Sequence, residues 1–206
     1  LMAAGILERE FDEVKLITAH LGNGCSITAV NRGKVMDTSM GFTPLEGLVM
    51  GTRCGDLDPA VVFFLRRLGY SLDEVDNLLN KKSGLSGICG SNDMRDILKL
   101  IENGSQAAQL ALDVFIHRLV KYIGAYAALL NGFDALVFTA GVGENVPLIR
   151  ARVCEKLDYL GITIDQIKNK AAATIISRPG AGPAVLVIPT NEELMIARET
   201  ARILMS

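Results

Sequence analysis

Three glycine-rich segments of the chain have the composition of anion-binding turns. They are Gly22-Asn23-Gly24, Gly51-Thr52-Arg53-Cys54-Gly55 and Gly141-Val142-Gly143-Glu144-Asn145, and each adjoins a predicted strand or follows a long loop. Glycine lets backbone N–H groups approach an anion closely, and a following helix N-terminus adds partial positive charge. One such segment is more often a structural turn than a binding site. Three of them, with Arg53 and His20 at their rims, favour phosphate as the ligand.

Arg53 and His20 are the side chains that these segments place best for chemistry. Arg53 lies in a loop between two glycines, where a guanidinium can offer two donors to phosphate oxygens. The alternative for Arg53 is a structural ion pair with Asp56 or Asp58. His20 ends a predicted strand beside a glycine turn, so it can reach into a cleft.

Charged residues at two predicted helix starts are further candidates for the functional site. Glu192 and Glu193 open the last predicted helix, where acidic side chains complement the helix dipole or form a capping box, here with Thr190. We prefer the capping role for Glu193, whereas Glu192 could face the cleft and hold a cation. Asp93-Met94-Arg95 also opens a helix, and its simplest interpretation is an N-terminal charge beside a solvated arginine.

Spacing excludes the better-known nucleotide and metal motifs. The Gly33-Lys34 pair is followed by Val35 rather than by Ser or Thr, so it is not a Walker A loop. A dinucleotide fingerprint needs a third glycine where the 141–145 segment is followed by Val146. The chain has two histidines and four cysteines, and no two cysteines lie within three positions of each other, which disfavours a zinc site.

Hydrophobic patterns predict the elements that position these residues. Runs separated by Gly22-Asn23-Gly24 and Asn31-Arg32-Gly33 predict three antiparallel strands over 14–21, 25–30 and 34–38. Two further buried strands are predicted over 135–139 and 184–188. Segments 39–59 and 83–92 are predicted to be loops. The predicted helices cover 2–10, 59–68, 72–82, 93–102, 105–130, 147–160 and 192–205.

The order of elements and the composition define the class of protein. Three antiparallel strands, several helices and then two strand–helix units predict an α/β fold with a mixed sheet. Half of the 206 residues are hydrophobic, and 21 basic against 23 acidic residues give a formal net charge of −2. This charge disfavours nucleic acid and anionic membranes as partners, and no apolar run approaches the ~20 residues of a membrane span. Scattered cysteines fit a reducing cytosol, so we predict a cytoplasmic location.

Five segments together resemble the signatures of the acetokinase family. They are HLGNG at 20–24, DTSMGFTPLEGLVMGTRCGDLDP at 37–59, DMR at 93–95, GVGEN at 141–145 and PTNEEL at 189–194. The resemblance has its core at 13–206 and covers roughly the C-terminal half of that family's chain. We therefore expect residues 1–206 to be a C-terminal acetokinase-family domain, and the abrupt start of the chain fits a part of something longer.

The resemblance implies a fold, a reaction and partners. The fold would be the ribonuclease H-like domain shared with sugar kinases, the heat-shock ATPase and actin, that is, an actin-like ATPase domain. The reaction would be reversible phosphoryl transfer from ATP to acetate, giving ADP and acetyl phosphate, with Mg²⁺ as cofactor. Family members are homodimers joined mainly through this half, so a homodimer is expected.

The resemblance also implies roles for individual residues. Arg53 would stabilise the transferring phosphoryl group, His20 would share in catalysis, and Glu192 would help to place Mg²⁺. The nucleotide-binding residues fall in three segments: His20, Leu21, Gly22, Asn23 and Gly24 at the phosphates, and Asp93, Met94 and Arg95 together with Gly141, Val142, Gly143, Glu144 and Asn145 at the adenosine.

The chain departs from the family pattern by lacking its N-terminal domain. That domain carries a serine-rich motif, a second arginine, a catalytic aspartate and most of the acyl pocket. We therefore expect the isolated chain to bind MgATP weakly and not to turn over. Two alternatives stay open: a propionate or butyrate kinase of the same family, and a non-catalytic, actin-like nucleotide-binding module.

Overall fold

A five-stranded mixed sheet organises the computed structural model of the chain. The structure describes residues 1–180 and 182–204, without the side chains of Glu192, Leu194, Met195, Arg198 and Glu199. The strand order is β3-β2-β1-β4-β5, with β1 to β3 antiparallel and with β4 and β5 parallel to β1. The predicted mixed α/β sheet with three antiparallel strands first is therefore confirmed. The strands are β1 (Lys15–Leu21), β2 (Cys25–Asn31), β3 (Lys34–Thr38), β4 (Ala135–Thr139) and β5 (Ala184–Val187).

Helices of very different length connect and cover these strands. Among the described residues, none of them is long and apolar enough to cross a membrane. The helices are α1 (Met2–Ile6), α2 (Ala60–Arg67), α3 (Leu72–Lys81), α4 (Gly84–Cys89), α5 (Met94–Glu102), α6 (Gln106–Leu129), α7 (Ala140–Asn145), α8 (Pro147–Glu155), α9 (Gln166–Lys170) and α10 (Glu192–Leu204).

The two faces of the sheet bury different sets of side chains. Alternate residues of β1, including Ile17 and Leu21, face the main core, where both are fully buried. The long helix α6 crosses this core and buries residues along its whole length, as its apolar sequence predicted. On the other face, a small apolar cluster lies beneath α1, whereas Thr18 and His20 continue that face toward the carboxyl end of β1.

Two glycine-rich segments that were predicted to be non-helical form short helices. Segment 83–92 contains α4, because the N–H groups of Leu85 and Ser86 bond to the carbonyls of Met50 and Gly51, both at 2.9 Å. Segment 141–145, predicted as a turn, lies within α7. Here β4 enters the helix directly through Ala140, whose φ of 64° turns the chain.

Helix ends confirm some predictions and correct others. Ser71 and Glu74 form the predicted capping box of α3, and Ser105 caps α6. Helix α1 ends at Ile6 rather than near residue 10, and α8 ends at Glu155, with a separate 3-10 turn at Asp158–Leu160. The last helix begins at Glu192, as predicted, which is one residue too late for Thr190 to be its cap. The Thr190 hydroxyl lies 2.7 Å from that of Thr139 and accepts from the N–H of Ala140 at 3.0 Å.

Candidate active site

The carboxyl end of β1 is where the predicted site segments converge. The turn at 22–24 joins β1 to β2, as predicted, although neither of its glycines has a positive φ. The N–H of Gly51 donates to the carbonyl of Asn23 at 3.2 Å. A Cβ on Gly51 would lie 2.2 Å from Asn23 Oδ1 and 3.2 Å from Asn92 Cβ. Gly51 is therefore the point at which the turn, the Arg53 loop and the start of α5 touch.

A cavity of about 580 Å³ opens beside this junction. Its walls come from the turn, from the start of α5 and from α7, which are the three segments predicted to hold a nucleotide. The volume lies within the ~300–1,000 Å³ of small-molecule sites. The lining residues are Gly22, Asn23, Asn92, Asp93, Met94, Arg95, Gly141, Val142, Asn145 and Val146.

Two lining residues, Asn92 and Val146, were missed by the sequence reasoning. Asn92 immediately precedes the predicted cap of α5, and that position next to a helix start was a usable signal. Val146 is an apolar residue between a site segment and a proline, and nothing in its type indicates a pocket. Both positions line the cavity because the tertiary structure brings the start of α5 and the end of α7 to the same cavity.

The start of α5 behaves as its sequence predicted. The carboxylate of Asp93 accepts from the N–H of Arg95 at 2.9 Å and pairs with the Arg95 guanidinium at 2.6 Å. Hydrogen bonds from Arg95 lower the pKa of Asp93 to about 2. Because 83% of the Arg95 side chain is exposed, the guanidinium remains accessible at the rim of the cavity.

The glycines of α7 serve two different purposes. A Cβ on Gly143 would lie 3.4 Å from the backbone carbon of Phe138 and 3.7 Å from the carbonyl oxygen of Ala19. Gly143 therefore lets α7 lie directly on the ends of β1 and β4. A Cβ on Gly141 would meet nothing within 4 Å, and Gly141 lines the cavity. Its backbone is thus accessible to a ligand.

A buried guanidinium fixes the carboxyl end of α7. Arg150 is fully buried, and its Nη1 donates to the carbonyls of Gly143 and Glu144, both at 2.8 Å. Its Nε donates to Asn169 Oδ1 at 2.7 Å. Among the described residues no carboxylate pairs with it, and burial lowers the pKa of Arg150. The sequence reasoning missed this residue, because an arginine in a predicted helix normally faces solvent.

Arg53 lines a second cavity of about 430 Å³, which shares Asn23 with the first. Its guanidinium lies over Gly24, where a Cβ would be 3.5 Å from Nη1. The contacts of Nη1 are long, at 3.5 Å to the carbonyl of Pro44 and 3.6 Å to Met50 Sδ. The residues that line this cavity are Asn23, Gly24, Thr52, Arg53, Asp76, Asn80 and Lys81.

The structural alternative for Arg53 is wrong. The Asp56 carboxylate pairs with Arg118 at 2.7 Å, and Asp58 Oδ1 accepts from the N–H of Ala60 at 2.9 Å. Among the side chains that the structure describes, none forms an ion pair with Arg53. Most donors of the guanidinium are therefore left for a ligand.

His20 and Leu21 lie differently from the other predicted residues. His20 is half-buried on the sheet face opposite the main core, next to Ser26 of β2 and Thr139 of β4. It is not among the residues that line the two cavities. Leu21 is fully buried in the core, so only its backbone could contact a nucleotide.

Glu144 and Thr190 hold the start of α10 against α7. Glu144 Oε1 accepts from the N–H of Thr190 at 2.8 Å. This carboxylate does not line the larger cavity, so its role is to hold α7, which does. The backbone of Glu192, the predicted magnesium residue, opens α10 two positions later, but its side chain lies outside the described part of the structure. Among the side chains that are described, no group of three or more His, Cys, Asp or Glu could hold a metal ion.

Comparison with known proteins assigns the chain to a family. The model of the acetokinase family matches residues 2–198. The chain belongs to the acetokinase family. An acetate kinase of Pseudothermotoga lettingae is 55% identical to it, over 99% of this chain and 51% of the relative.

Solved structures of the acetokinase family have the same fold. The crystal structure of Porphyromonas gingivalis acetate kinase matches with a TM-score of 0.95 at 46% identity, over 98% of this chain and 52% of that one. A propionate kinase from Francisella tularensis matches with a TM-score of 0.91 at 50% identity, over 96% of this chain and 51% of that one. The expected actin-like ATPase fold is thus confirmed. The chain spans about half the length of the curated relatives that it matches.

Proposed function

We propose that this chain, residues 1–206, is the C-terminal, nucleotide-binding half of an acetate kinase, which transfers a phosphoryl group reversibly from ATP to acetate. The proposal rests mainly on the contacts that Gly51 makes with Asn23 and Asn92. There the 22–24 turn, the Arg53 loop and the wall of the larger cavity touch one another. Because Asn23 lines both cavities, a nucleotide in the larger cavity can extend its phosphates past Asn23 and Gly24 toward Arg53.

The residues of this half fit the needs of phosphoryl transfer. The reaction asks a protein mainly to position the reactants and to stabilise charge on the phosphoryl oxygens. The larger cavity supports a role for Asp93, Met94, Arg95, Gly141, Val142 and Asn145 in binding the adenosine. The guanidinium of Arg53, which has no ion-pair partner in the described part of the chain, supports its role at the transferring group. His20 is proposed to act from the sheet face, toward the part of the site that this chain lacks.

A magnesium ion held mainly by the nucleotide is part of the proposal. Mg²⁺ usually binds proteins through one or two carboxylates and takes its other ligands from phosphates and water. Glu192 is the carboxylate proposed for it, because the bond between Glu144 and Thr190 fixes the start of α10 near the cavity wall. When bound, the ion neutralises charge on the phosphate oxygens.

A propionate or butyrate kinase is the second candidate function. The 50% identity to a propionate kinase favours it, and 55% identity to acetate kinases favours acetate. The residues that select the acid are expected in the half that this chain lacks. A non-catalytic, actin-like nucleotide-binding module is disfavoured by Arg53, because its guanidinium faces the second cavity and has no ion-pair partner among the described side chains.

We further propose a homodimer in the cytoplasm. Helix α2 has no buried residue, and its Phe63 and Phe64 are 63% and 56% exposed. Aromatic side chains exposed side by side on one helix support a protein partner for this surface. The four cysteines are all free, which fits a reducing compartment.

A coupled assay on the full-length protein tests the proposed reaction. ADP formation from ATP is measured with acetate, propionate and butyrate as acceptors. We expect kcat/KM to be highest for acetate. A preference for propionate or butyrate would establish the second candidate, and no turnover with any of the three acids would overturn the proposed function.

A further inference from the structure

We propose that Asp56 is a positioning residue that holds Arg53 in place for phosphoryl transfer. Asp56 closes the neck of the arginine loop, which we define as residues 47–56. The inference rests on the function proposed above, because it assigns a purpose to a carboxylate that no part of that function uses. The Asp56 side chain is 28% exposed, and it does not line either cavity at the site.

The neck of the arginine loop is closed by Asp56 and Gly47. The N–H of Asp56 donates to the carbonyl of Gly47 at 3.0 Å. The N–H of Gly47 returns a hydrogen bond to the Asp56 carboxylate at 2.8 Å. Gly47 has a φ of +104°, and a Cβ there would lie 2.1 Å from the carbonyl oxygen of Ser39. The first and last residues of the loop are therefore joined at a point that tolerates no larger residue.

The same carboxylate ties the neck to α6. Nη1 of Arg118 donates to Asp56 Oδ2 at 2.7 Å, and the Tyr122 hydroxyl lies 3.0 Å from both carboxylate oxygens. Burial, with the Asp56 carboxylate as a second cause, raises the pKa of Tyr122, so the phenol stays protonated and donates. Helix α6 packs a row of buried residues into the core from Ala108 to Ala127, which makes it a rigid support.

The opposite end of the loop is held by backbone bonds. The N–H of Met50 donates to the carbonyl of Arg53 at 3.1 Å, and the N–H of Ser83 donates to the carbonyl of Thr52 at 3.0 Å. The N–H of Cys54 donates to the carbonyl of Leu79 at 3.0 Å. The Arg53 guanidinium itself has only long contacts. Its position is therefore set by the backbone of the loop, which Asp56 fixes at the neck.

The closing experiment is a double-mutant cycle between Asp56 and Arg53 in the full-length protein. Steady-state kcat, KM for ATP and the thermal midpoint are measured for the wild type, Asp56→Asn, Arg53→Ala and the double variant. The matched control is Asp113→Asn. Asp113 of α6 also pairs with an arginine, Arg152 of α8, at 3.0 Å. Its substitution therefore removes a similar ion pair that does not involve the arginine loop.

We expect Asp56→Asn to lower kcat by ~10- to 10²-fold with little change in KM for ATP, because misplacing a charged group by about 1 Å has an effect of this size. In the Arg53→Ala background the same substitution should change kcat less than ~3-fold, since the group that it positions is gone. Asp113→Asn should keep kcat near that of the wild type. Tyr122→Phe, which removes one hydroxyl only, should lower kcat less than Asp56→Asn does.

Two results would overturn the inference. One is an equal fall in kcat in both backgrounds, which would show that Asp56 acts independently of Arg53. The other is a lower thermal midpoint with unchanged kcat for both Asp56→Asn and Tyr122→Phe, which would show a purely structural role. If the wild type itself fails to turn over ATP with any of the three acids, the proposed function fails instead, so the two failures are distinguishable.

Discussion

Arg53 differs from Arg118 and Arg150 in what its guanidinium touches. Arg118 pairs with Asp56, and Arg150 donates to backbone carbonyls and to Asn169. The donors of Arg53 have only distant partners among the described residues, and they face a cavity next to Gly24. At the residue scale, this is the arrangement expected of a group that binds a ligand.

The first prediction concerns Arg53 itself. Arg53→Ala in the full-length protein should lower kcat by ~10²–10⁵ with less effect on KM for ATP, because charge on the phosphoryl oxygens develops mainly in the transition state. Arg53→Lys should restore little activity, since lysine lacks the planar pair of donors. Steady-state kinetics and the thermal midpoint are the measurements. A variant with near-normal kcat would show that the arginine is not catalytic.

The second prediction concerns Gly51. A methyl group at this position would lie 2.2 Å from Asn23 Oδ1, so Asn23 must move, and Asn23 lines both cavities. Gly51→Ala should therefore weaken MgATP binding by ~10-fold or more. The control is Gly5→Ala in α1, where a Cβ meets nothing within 4 Å and the added methyl should leave binding unchanged. Equal affinities in calorimetric titrations of the two variants would contradict the junction at Gly51.

At the scale of elements, the strands were predicted more accurately than the short helices. The three-strand meander follows from local signals, since alternating residues are separated by tight turns such as the one at Arg32 and Gly33, where φ is positive. Helices α4 and α7 could not be predicted in this way. Glycine is a poor helix former, and these helices depend on groups outside themselves: the distant carbonyl of Met50 for α4, and the buried guanidinium of Arg150 on the next helix for α7.

The residues of the candidate site also fall into two groups, those that the sequence predicted and those that it did not. Sequence located its glycine segments and Arg53, because those residue types are unusual at those positions. It did not locate Arg150 or the purpose of Asp56. Their function depends on burial and on which groups face them, and both are properties of the tertiary structure. A charged residue in a helix or loop is normally solvated, so its type gave no signal.

The third prediction concerns the support of α7 by Arg150. Arg150→Met leaves the carbonyls of Gly143 and Glu144 without these buried donors. The free energy of unfolding should fall by at least ~3 kcal/mol, and binding of MgATP should weaken because α7 lines the larger cavity. Arg152→Met, on the same helix, removes a partly exposed ion pair with Asp113 and should cost about 1 kcal/mol or less. Urea unfolding of both variants is the measurement, and equal losses of stability would contradict the account.

At the scale of the whole molecule, the exposed aromatic side chains of α2 predict an assembly. Phe63→Ser combined with Phe64→Ser should convert the proposed dimer of the full-length protein into a monomer, because this change removes the apolar surface proposed for contact. Light scattering at micromolar concentration measures the mass. Leu110→Ser, at a 56% exposed position of α6, is the control and should leave the dimer intact. A dimer that survives the α2 substitutions would place the interface elsewhere.

Calorimetric titration of the 206-residue chain with MgATP tests the central claim most directly, since it asks whether this chain alone contains the nucleotide site. A cooperative thermal unfolding transition first establishes that the chain is folded. We expect one weak, saturable site per chain, and no acetyl phosphate when acetate and ATP are supplied to it, because the acceptor site is proposed to lie in the other half. A folded chain that shows no saturable binding, or one that forms acetyl phosphate rapidly by itself, would contradict the account.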